Sequence, residues 1–478
     1  MLVPEAELAR QREYEAKLRA LYASRGAHPL ACVDTYGCQQ NEADGEKLKG
    51  MLKACGFSFT SDPREADVVV LNTCAVREHA EQRVFGNLGA LTHAKKENPE
   101  QIVALCGCMA QEPRVSERVK NSYRHVDLVF GPHALWRFPE LLWQVSQTRR
   151  RVFAVDDDHG TIAEGIPSLR GDGVKAWVSV MYGCNNFCSY CIVPYVRGRE
   201  RSRDEDCVVE EVRSLVSAGY HDITLLGQNV NSYGNDLGRE GAFPDLLEKL
   251  DALEGDFWLR FMSSHPKDAT PRLFDVMAKS RHVAHQLHLP FQSGSDRVLA
   301  AMNRRYTRAQ YLELVRYAKS VMPDLVLTSD VIIGFPGETE AEAAETISLV
   351  EEVGFDALFT FLYSPRPGTK AAELPDPVPR AEKQKWFDRL LEVQNANSAA
   401  LHAAYVGSVV TVLADGESDD PDYPVSSRTE GNRLVRLKGD KDLIGKFLRV
   451  KITGSNTWAL YGEPLAENEK GEASPWRN

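Results

Sequence analysis

The sequence predicts a mixed α/β protein in three parts: an N-terminal doubly wound α/β domain, a central partial TIM-type (β/α)6 barrel and a small C-terminal antiparallel β-barrel. Apolar strand-like runs alternate with helical patterns through most of the chain, which is typical of parallel sheets. Beyond about residue 405, short alternating strands with glycine turns replace that pattern. The chain has 478 residues, which is too many for a single hydrophobic core to organise.

The N-terminal domain is predicted over residues 29–150, after a surface helix or extension at 1–28. Three apolar runs recur at 30–37, 67–73 and 101–107, and amphipathic stretches separate them. Alternation of this kind favours a parallel, doubly wound sheet. In such sheets ligands bind at the carboxyl ends of the strands.

An acidic stretch with Gly and Pro at 151–173 is predicted to be a linker. The barrel is then predicted over 174–404, from six apolar runs: AWVSVMYG, DITLLGQNV, FWLRFMSS, AHQLHLPFQ, LVLTSDVIIGF and DALFTFLYS. Its functional groups belong at the carboxyl ends of these strands. The short strands at 405–467 form the small barrel, and 468–478 are predicted to be a disordered tail.

Composition narrows the class of protein. The net charge of −11 argues against a globally basic nucleic-acid binder, although local patches remain possible. Neither an apolar run of membrane-spanning length nor an apolar signal core at the N-terminus is found, so we expect no membrane partner. Ten cysteines without an export signal indicate a reducing, cytoplasmic setting in which cysteines are buried, catalytic or metal-bound.

Three cysteines follow the first predicted barrel strand with C-x3-C-x2-C spacing: Cys184, Cys188 and Cys191, here called the barrel trio. Three thiolates on a four-iron cluster leave one iron open, and that iron can bind a small molecule through an amine and a carboxylate. A zinc site that borrows a distant His or Cys is the alternative.

A second set of three cysteines, here called the N-terminal trio, lies in the first domain. Cys38, Cys74 and Cys108 each follow one of its three apolar runs. Because these runs are predicted to be parallel strands, the three thiols are expected to converge at one sheet edge. The remaining cysteines lie inside strand or helix patterns and are expected to be structural: Cys32, Cys55, Cys106 and Cys207.

The barrel trio, with Tyr190 before its last cysteine, resembles the radical S-adenosylmethionine superfamily. That resemblance implies a 4Fe–4S cluster whose open iron chelates the methionine part of S-adenosylmethionine. Reductive cleavage then yields a 5′-deoxyadenosyl radical, a hydrogen-atom abstractor that no amino-acid side chain can supply.

The two trios together resemble the methylthiotransferases over residues 29–465. Further matching segments are TYGCQQNEAD, NTCAVRE, CIVPYVRGRERSR, LLGQNVNSYG, LHLPFQSGSDRVL, GFPGET and SPRPGT, which resemble the branch that modifies tRNA. The resemblance implies that the N-terminal trio holds a second, auxiliary 4Fe–4S cluster. It also implies that the C-terminal barrel is a TRAM domain that binds RNA.

The activity implied by this resemblance is methylthiolation of carbon 2 of N6-isopentenyladenosine beside the anticodon of tRNA, with S-adenosylmethionine as cosubstrate. The expected partners are the tRNA anticodon stem-loop, an external electron donor and a sulfur donor, with the enzyme acting as a monomer. Two alternatives within the family are methylthiolation of threonylcarbamoyl-adenosine in tRNA and of an aspartate in a ribosomal protein. A non-catalytic RNA-binding protein with zinc at both trios is a third.

Residues that contact S-adenosylmethionine are expected at strand ends: Gln228, Asn229, Gln292, Ser293 and Gly334. Each of them is equally suited to forming a turn.

Contacts with RNA are expected from basic residues. Four arginines, two residues apart, follow the barrel trio, and an extended segment would put them all on one side: Arg197, Arg199, Arg201 and Arg203. In the last barrel, residues 428–451 carry eight Lys or Arg against three Asp or Glu, a balance of +5. The candidates there and in the preceding SPRPGT segment are Arg366, Arg436, Lys438, Arg449 and Lys451.

Overall fold

A computed structural model describes residues 2–24, 28–75, 78–155, 161–171 and 173–465. It divides into two compact units: Met1–Gly171 with Met181–Phe187 and Cys191–Arg203, and Asp172–Val180 with Cys188–Tyr190 and Asp204–Asn478. These units do not follow the predicted domain limits, since two pieces of the segment after the first barrel strand belong to the first unit. The predicted tail at 468–478 lies outside the described residues.

The first unit is built on a six-stranded parallel sheet. Its helices are α1 (Glu5–Ser24), α2 (Gln39–Ala54), α3 (Glu78–Glu97), α4 (Pro113–Ser122) and α5 (Phe138–Thr148). Its strands are β1 (Leu30–Tyr36), β2 (Ser58–Phe59), β3 (Val68–Thr73), β4 (Ile102–Gly107), β5 (Leu128–Phe130) and β6 (Val152–Ala154), in the order β2-β1-β3-β4-β5-β6. A short pair, β8 (Met181–Tyr182) and β9 (Arg201–Ser202), and helix α6 (Val193–Val196) complete it.

Helices cover both faces of this sheet, as a doubly wound fold requires. Every residue of β3 and β4 is buried, because helices cover both faces of these central strands. Val68 and Val70 belong to one core with Leu18 of α1, while Val69 belongs to a second core with Val84 of α3. The N-terminal segment is therefore part of a core rather than a surface extension, and the predicted linker supplies the sixth strand.

The second unit begins with six parallel strands separated by helices. The strands are β7 (Lys175–Ser179), β10 (Asp222–Leu226), β11 (Trp258–Met262), β12 (Gln286–His288), β13 (Val326–Ile333) and β14 (Ala357–Leu362). The helices are α7 (Glu205–Ser217), α8 (Ala242–Asp251), α9 (Pro271–Lys279), α10 (Asp296–Ala301), α11 (Arg308–Val321), α12 (Glu340–Val353) and α13 (Arg380–Ala403). The strand order is β7-β10-β11 followed by β12-β13-β14, and a bridge from Leu259 to Val283 joins the two halves. This confirms the partial (β/α)6 barrel.

A closed five-stranded barrel ends the second unit. Its strands are β15 (Val409–Glu417), β16 (Val425–Thr429), β17 (Leu434–Leu437), β18 (Phe447–Ser455) and β19 (Leu460–Pro464). Buried Val412, Val435 and Val450 fill its interior. The predicted small barrel is confirmed, with one difference: β17 and β19 pair in parallel, so the barrel is not wholly antiparallel.

The small barrel packs against the amino ends of the six parallel strands. Arg260 of β11 donates to the Thr429 carbonyl at 3.2 Å and to the Asp222 carboxylate at 2.8 Å. Arg433 forms an ion pair with Asp356, which directly precedes β14. The small barrel therefore covers the end of the larger one that lies opposite the strand carboxyl termini. Among the described residues, no helix combines the length and the apolar character needed to cross a membrane.

Candidate cluster-binding sites

The N-terminal trio converges at one edge of the first sheet. β1, β3 and β4 are neighbours in it, and Tyr36, Thr73 and Gly107 lie in register at their carboxyl ends. Cys38, Cys74 and Cys108 follow these strand ends within two residues. Three thiols, brought together from distant points in the sequence, thus lie at the edge where such folds bind ligands.

Two glycines allow the backbone segments that carry these cysteines to approach closely. Gly107 has φ +90°, and a Cβ there would lie 2.4 Å from the Thr73 carbonyl oxygen. A Cβ on Gly37 would lie 2.6 Å from the Cβ of Cys74. Larger residues at either position would push the three strand ends apart.

Cys38 lies at the N-cap of α2. A hydrogen bond with Cys74 lowers the pKa of the Cys38 thiol to about 6; burial opposes this shift, and the Arg197 guanidinium reinforces it. Burial raises the pKa of Cys108 to about 11 despite the same guanidinium. This donor set, one thiol with a lowered pKa and two buried thiols, fits a metal–sulfur cluster, which binds thiolates.

Arg197 is part of this site rather than of an RNA-binding surface. It is 4% exposed; its Nε lies 2.9 Å from Cys108 Sγ, and its Nη2 lies 2.7 Å from Asp44 Oδ2. An N–H aimed at sulfur orients the ligand and compensates negative charge on a thiolate cluster. Asp44, in α2, balances the buried guanidinium.

The four arginines differ in burial, so they do not form the single exposed row that contact with RNA would need. Arg203 is 6% exposed and bonded to Glu164 at 2.6 and 2.8 Å. Arg199 is exposed and lies over the Phe187 ring at 4.3 Å. Arg201 is half-buried. For Arg199 and Arg201, contact with RNA stays a prediction.

We expect Arg197→Gln to destabilise the protein by about 3–5 kcal/mol, since it leaves the buried Asp44 carboxylate without its partner. Anaerobic thermal unfolding of the cluster-free and reconstituted forms measures the loss. Arg199→Gln, two residues away and exposed, should cost at most about 1 kcal/mol. The double variant Asp44→Asn/Arg197→Gln should recover part of the loss; equal stability of the single and double variants would contradict the pairing.

The barrel trio lies on the loop between β8 and α6, with Cys188 buried and the other two cysteines half-buried. Within the first unit, Cys184 N–H donates to the Gly198 carbonyl at 3.1 Å, and Asn185 N–H donates to Glu200 at 3.1 Å. Within the second unit, Ser189 N–H donates to the Met302 carbonyl at 3.0 Å. These bonds hold each part of the loop within its own unit. Binding of a cluster with one open iron by the three thiols stays a prediction.

Arg304 was missed by sequence reasoning. It is 7% exposed, its Nη1 lies 3.7 Å from Cys188 Sγ, and its Nε donates to the Tyr306 hydroxyl at 2.9 Å. Burial alone would lower its pKa, but Tyr306, Tyr190 and Cys188 together hold it well above the usual value. The MNRRYT segment contains two adjacent arginines, and its spacing gives no indication that one of them reaches a cysteine more than a hundred positions away.

The residues expected to contact S-adenosylmethionine lie at strand ends, but most of them have structural partners. Asn229 is buried and donates to Asp268 at 2.9 Å, while Gln228 is half-buried. Ser293 bonds the Thr346 hydroxyl at 3.3 Å. Gln292 is buried with φ +66°, and its side-chain oxygen has no hydrogen-bond partner among the described residues. For all of them, cofactor contact stays a prediction.

Gly334 forms the turn after β13. It has φ +77°, its N–H donates to Glu338, and its carbonyl accepts from Lys383 at 2.7 Å. Burial raises the pKa of Glu338 to about 7, although the Gly334 and Phe335 N–H groups oppose the shift. Because burial raises this pKa above that of an exposed glutamate, ionisation of the Glu338 carboxyl group destabilises the folded protein.

We expect Glu338→Gln to remove a pH-dependent loss of stability. The folded protein holds the Glu338 proton up to about pH 7, whereas the unfolded chain releases it near 4.5, so wild-type stability falls as pH rises through that window. The loss is about 3 kcal/mol by pH 8. Unfolding transitions at pH 5 and pH 8 measure it, with Glu340→Gln, an exposed neighbour, as the control. Equal pH dependence in Glu338→Gln and wild type would contradict this.

The basic residues of the small barrel are partly paired. Arg449 and Lys451 are exposed on β18, and Val450 between them is buried, as the alternation of side chains along a strand requires. Arg436 forms an ion pair with Asp420 at 3.3 Å, and Lys438 forms one with Glu463 at 2.7 Å. Arg366 is half-buried. Contact of any of them with RNA stays a prediction.

The described residues contain no group of three His, Cys, Asp or Glu side chains that could hold a metal ion.

Three family models match the chain: the radical SAM superfamily over residues 178–350, an uncharacterized protein family designated UPF0004 over 31–131, and the TRAM domain over 403–465. Proteins named tRNA-2-methylthio-N(6)-dimethylallyladenosine synthase match almost the whole length of the chain. The relative from Acetivibrio thermocellus is 48% identical over 95% of this chain and 96% of its own. The chain belongs to this synthase family. The relatives from Alkaliphilus oremlandii and Thermoanaerobacter sp. are 47% and 45% identical, over 93% and 96% of the chain and 94% and 98% of their own.

Solved structures share the fold. The radical S-adenosylmethionine methyltransferase TsrM from Kitasatospora setae, with cobalamin and a 4Fe–4S cluster bound, has a TM-score of 0.51. It is 14% identical, and the likeness covers 72% of this chain and 77% of that chain. This likeness shows that the chain and this methyltransferase share a fold.

Proposed function

We propose that this protein attaches a methylthio group to carbon 2 of N6-dimethylallyladenosine in tRNA. One observation carries the proposal: relatives of that name are 45–48% identical over 93–96% of this chain, a span that includes both cysteine trios. It is a radical S-adenosylmethionine enzyme, and its cofactors are two 4Fe–4S clusters and S-adenosylmethionine.

When bound, these cofactors supply a strongly abstracting radical, a methyl group and a site for the added sulfur. Cys184, Cys188 and Cys191 would hold the cluster that binds S-adenosylmethionine, and Cys38, Cys74 and Cys108 would hold the auxiliary one. Arg197 orients the Cys108 thiolate with its N–H group, as the 2.9 Å contact supports. Arg304, which is bonded to Tyr306 and the Pro290 carbonyl, places a fixed positive charge near Cys188.

The substrate is a tRNA, and we propose that its anticodon stem-loop is the part recognised. The base beside the anticodon must leave its stack to reach the reactive centre, at a cost of a few kcal/mol in a duplex and less in a loop. We further propose an external electron donor and a sulfur donor, a monomeric enzyme and a cytoplasmic location.

Anaerobically reconstituted protein, incubated with tRNA that carries N6-dimethylallyladenosine but lacks the methylthio group, tests the proposal. Nucleoside analysis should detect 2-methylthio-N6-dimethylallyladenosine only when S-adenosylmethionine, reductant and sulfide are all present. Parallel reactions contain tRNA with threonylcarbamoyl-adenosine or a ribosomal protein. Product in a parallel reaction alone would assign the protein to another methylthiotransferase activity. A colourless protein with zinc and no iron would indicate a non-catalytic RNA-binding protein.

A further inference from the structure

Two large aromatic side chains are exposed on one side of the last barrel strand. Phe359 and Phe361 of β14 are 49% and 41% exposed. Residues two apart on a strand share a face, so the two rings form one strip. β14 is the last strand in the order β12-β13-β14. The strip therefore lies beside the open lateral edge of that sheet. Large apolar side chains left in water at such a position mark a binding surface more often than chance exposure.

The strip lies on the inner face of the barrel. Register places Phe359 opposite Asp330, and Phe361 opposite Ile332, on the neighbouring β13. The His288 ring of β12 packs edge-on against Phe359 at 5.7 Å, while its Nε2 lies 3.6 Å from the Asp330 carboxylate. The side chain of Asp330 is 30% exposed and can accept a hydrogen bond from a ligand beside Phe359.

One end of the strip adjoins the loop of the barrel trio. Ile332, level with Phe361, belongs to a small core with Met302, and Tyr190 packs against that core. Tyr190 follows Cys188 by two positions, and the intervening Ser189 bonds the Met302 carbonyl. A ligand on Phe361 is therefore close to the segment that carries the radical-forming cysteines.

The other end of the strip adjoins the small barrel. Asp356, just before β14, is ion-paired with Arg433 of that barrel. The six residues of β14 span roughly 20 Å at about 3.3 Å per residue. The small barrel and the Cys188 segment thus lie at opposite ends of β14, with Phe359 and Phe361 between them.

We propose that Phe359 and Phe361 form the subsite for the unstacked N6-dimethylallyladenine of the tRNA, an inference that rests on the proposed function. Aromatic faces stack on any purine. The two rings together are long enough for the purine and its branched five-carbon substituent, which is apolar and favours the same surface. Asp330 accepts a hydrogen bond from the N6–H group, which the substituted adenine retains.

Binding of two synthetic anticodon stem-loops to the holoenzyme tests the subsite, one with N6-dimethylallyladenosine and one with adenosine at the reactive position. Wild type should prefer the modified stem-loop about tenfold or more. Phe359→Ala and Phe361→Ala should each weaken binding of the modified stem-loop by roughly 10- to 100-fold and reduce the preference to about twofold. Asp330→Asn should reduce the preference less than either.

Thr360→Val is the matched control, because Thr360 lies between the two rings on the same strand but points to the opposite side. It should bind both stem-loops within about twofold of wild type. Iron content and 5′-deoxyadenosine formation without RNA verify that each variant is intact. Phe359→Leu and Phe361→Leu, which preserve apolar volume but cannot stack, carry the test where an alanine variant fails to fold.

Wild-type affinity and preference in the Phe359→Leu/Phe361→Leu double variant would overturn the subsite. Equal weakening of both stem-loops by Thr360→Val would also overturn it, since the effect would then belong to the strand and not to the rings. If wild type binds the modified stem-loop selectively and the phenylalanine variants lose this preference, but wild type transfers no methylthio group, the subsite holds and the proposed function fails.

Discussion

Replacing Cys184, Cys188 or Cys191 with Ala should abolish reductive cleavage of S-adenosylmethionine and, with it, all methylthiolation. Three thiolates are the minimum that holds a four-iron cluster with one open iron, and residues that act as a unit fail together. Formation of 5′-deoxyadenosine under dithionite measures the loss, and iron analysis should fall from about eight to about four per chain.

A matched control for these variants is Cys207→Ala, because Cys207 lies in α7 outside both trios. It should retain eight irons and normal cleavage. If a barrel-trio variant still produces 5′-deoxyadenosine at the wild-type rate, these cysteines do not hold the cleaving cluster.

Replacing Cys38, Cys74 or Cys108 with Ala should leave cleavage of S-adenosylmethionine within about twofold of wild type but stop methylthiolation. In the proposed function the auxiliary cluster serves sulfur transfer, and its ligands would come from a separate sheet edge, so loss of one thiol should remove that cluster alone. Iron content should again fall to about four per chain. Nucleoside analysis and 5′-deoxyadenosine assays on the same samples separate the two effects.

Cys106→Ala provides a close comparison for the second prediction. Cys106 lies two residues before Cys108 but is 1% exposed within a hydrophobic core. It should retain both clusters and full methylthiolation. Methylthiolation that survives loss of Cys38, Cys74 or Cys108 would refute the assignment of the auxiliary cluster to this trio.

Much of the architecture could be predicted because the relevant patterns are local. Residues 68–71 of β3 and 102–106 of β4 are continuously apolar, as is typical of strands that are buried on both faces. Cys38, Cys74 and Cys108 follow such runs, so the topology of a parallel sheet was enough to bring them to one edge. Alternation in β18 likewise separated buried Val450 from exposed Arg449 and Lys451.

Other features were mispredicted because they depend on distant partners. Arg197 reads as one member of a basic run, yet a buried carboxylate and a cysteine thiol draw it into the first sheet edge. Arg203 is likewise occupied by Glu164. The sequence does not show whether a charged side chain is buried or exposed, since burial of a charge is tolerated only when an opposite charge lies nearby in space.

The sequence by itself determined the fold class and the two cysteine trios, because strand periodicity and the position of a cysteine relative to a strand are local properties. The family was indicated by the resemblance of its motifs. The tertiary structure alone decided which charges serve the sites and which apolar groups stay in water. It places Arg197 on Cys108 and Arg304 near Cys188, and it leaves Phe359 and Phe361 exposed on an inner barrel face. The reason is physical: solvation and Coulomb interactions depend on distance in space, which residue spacing does not encode.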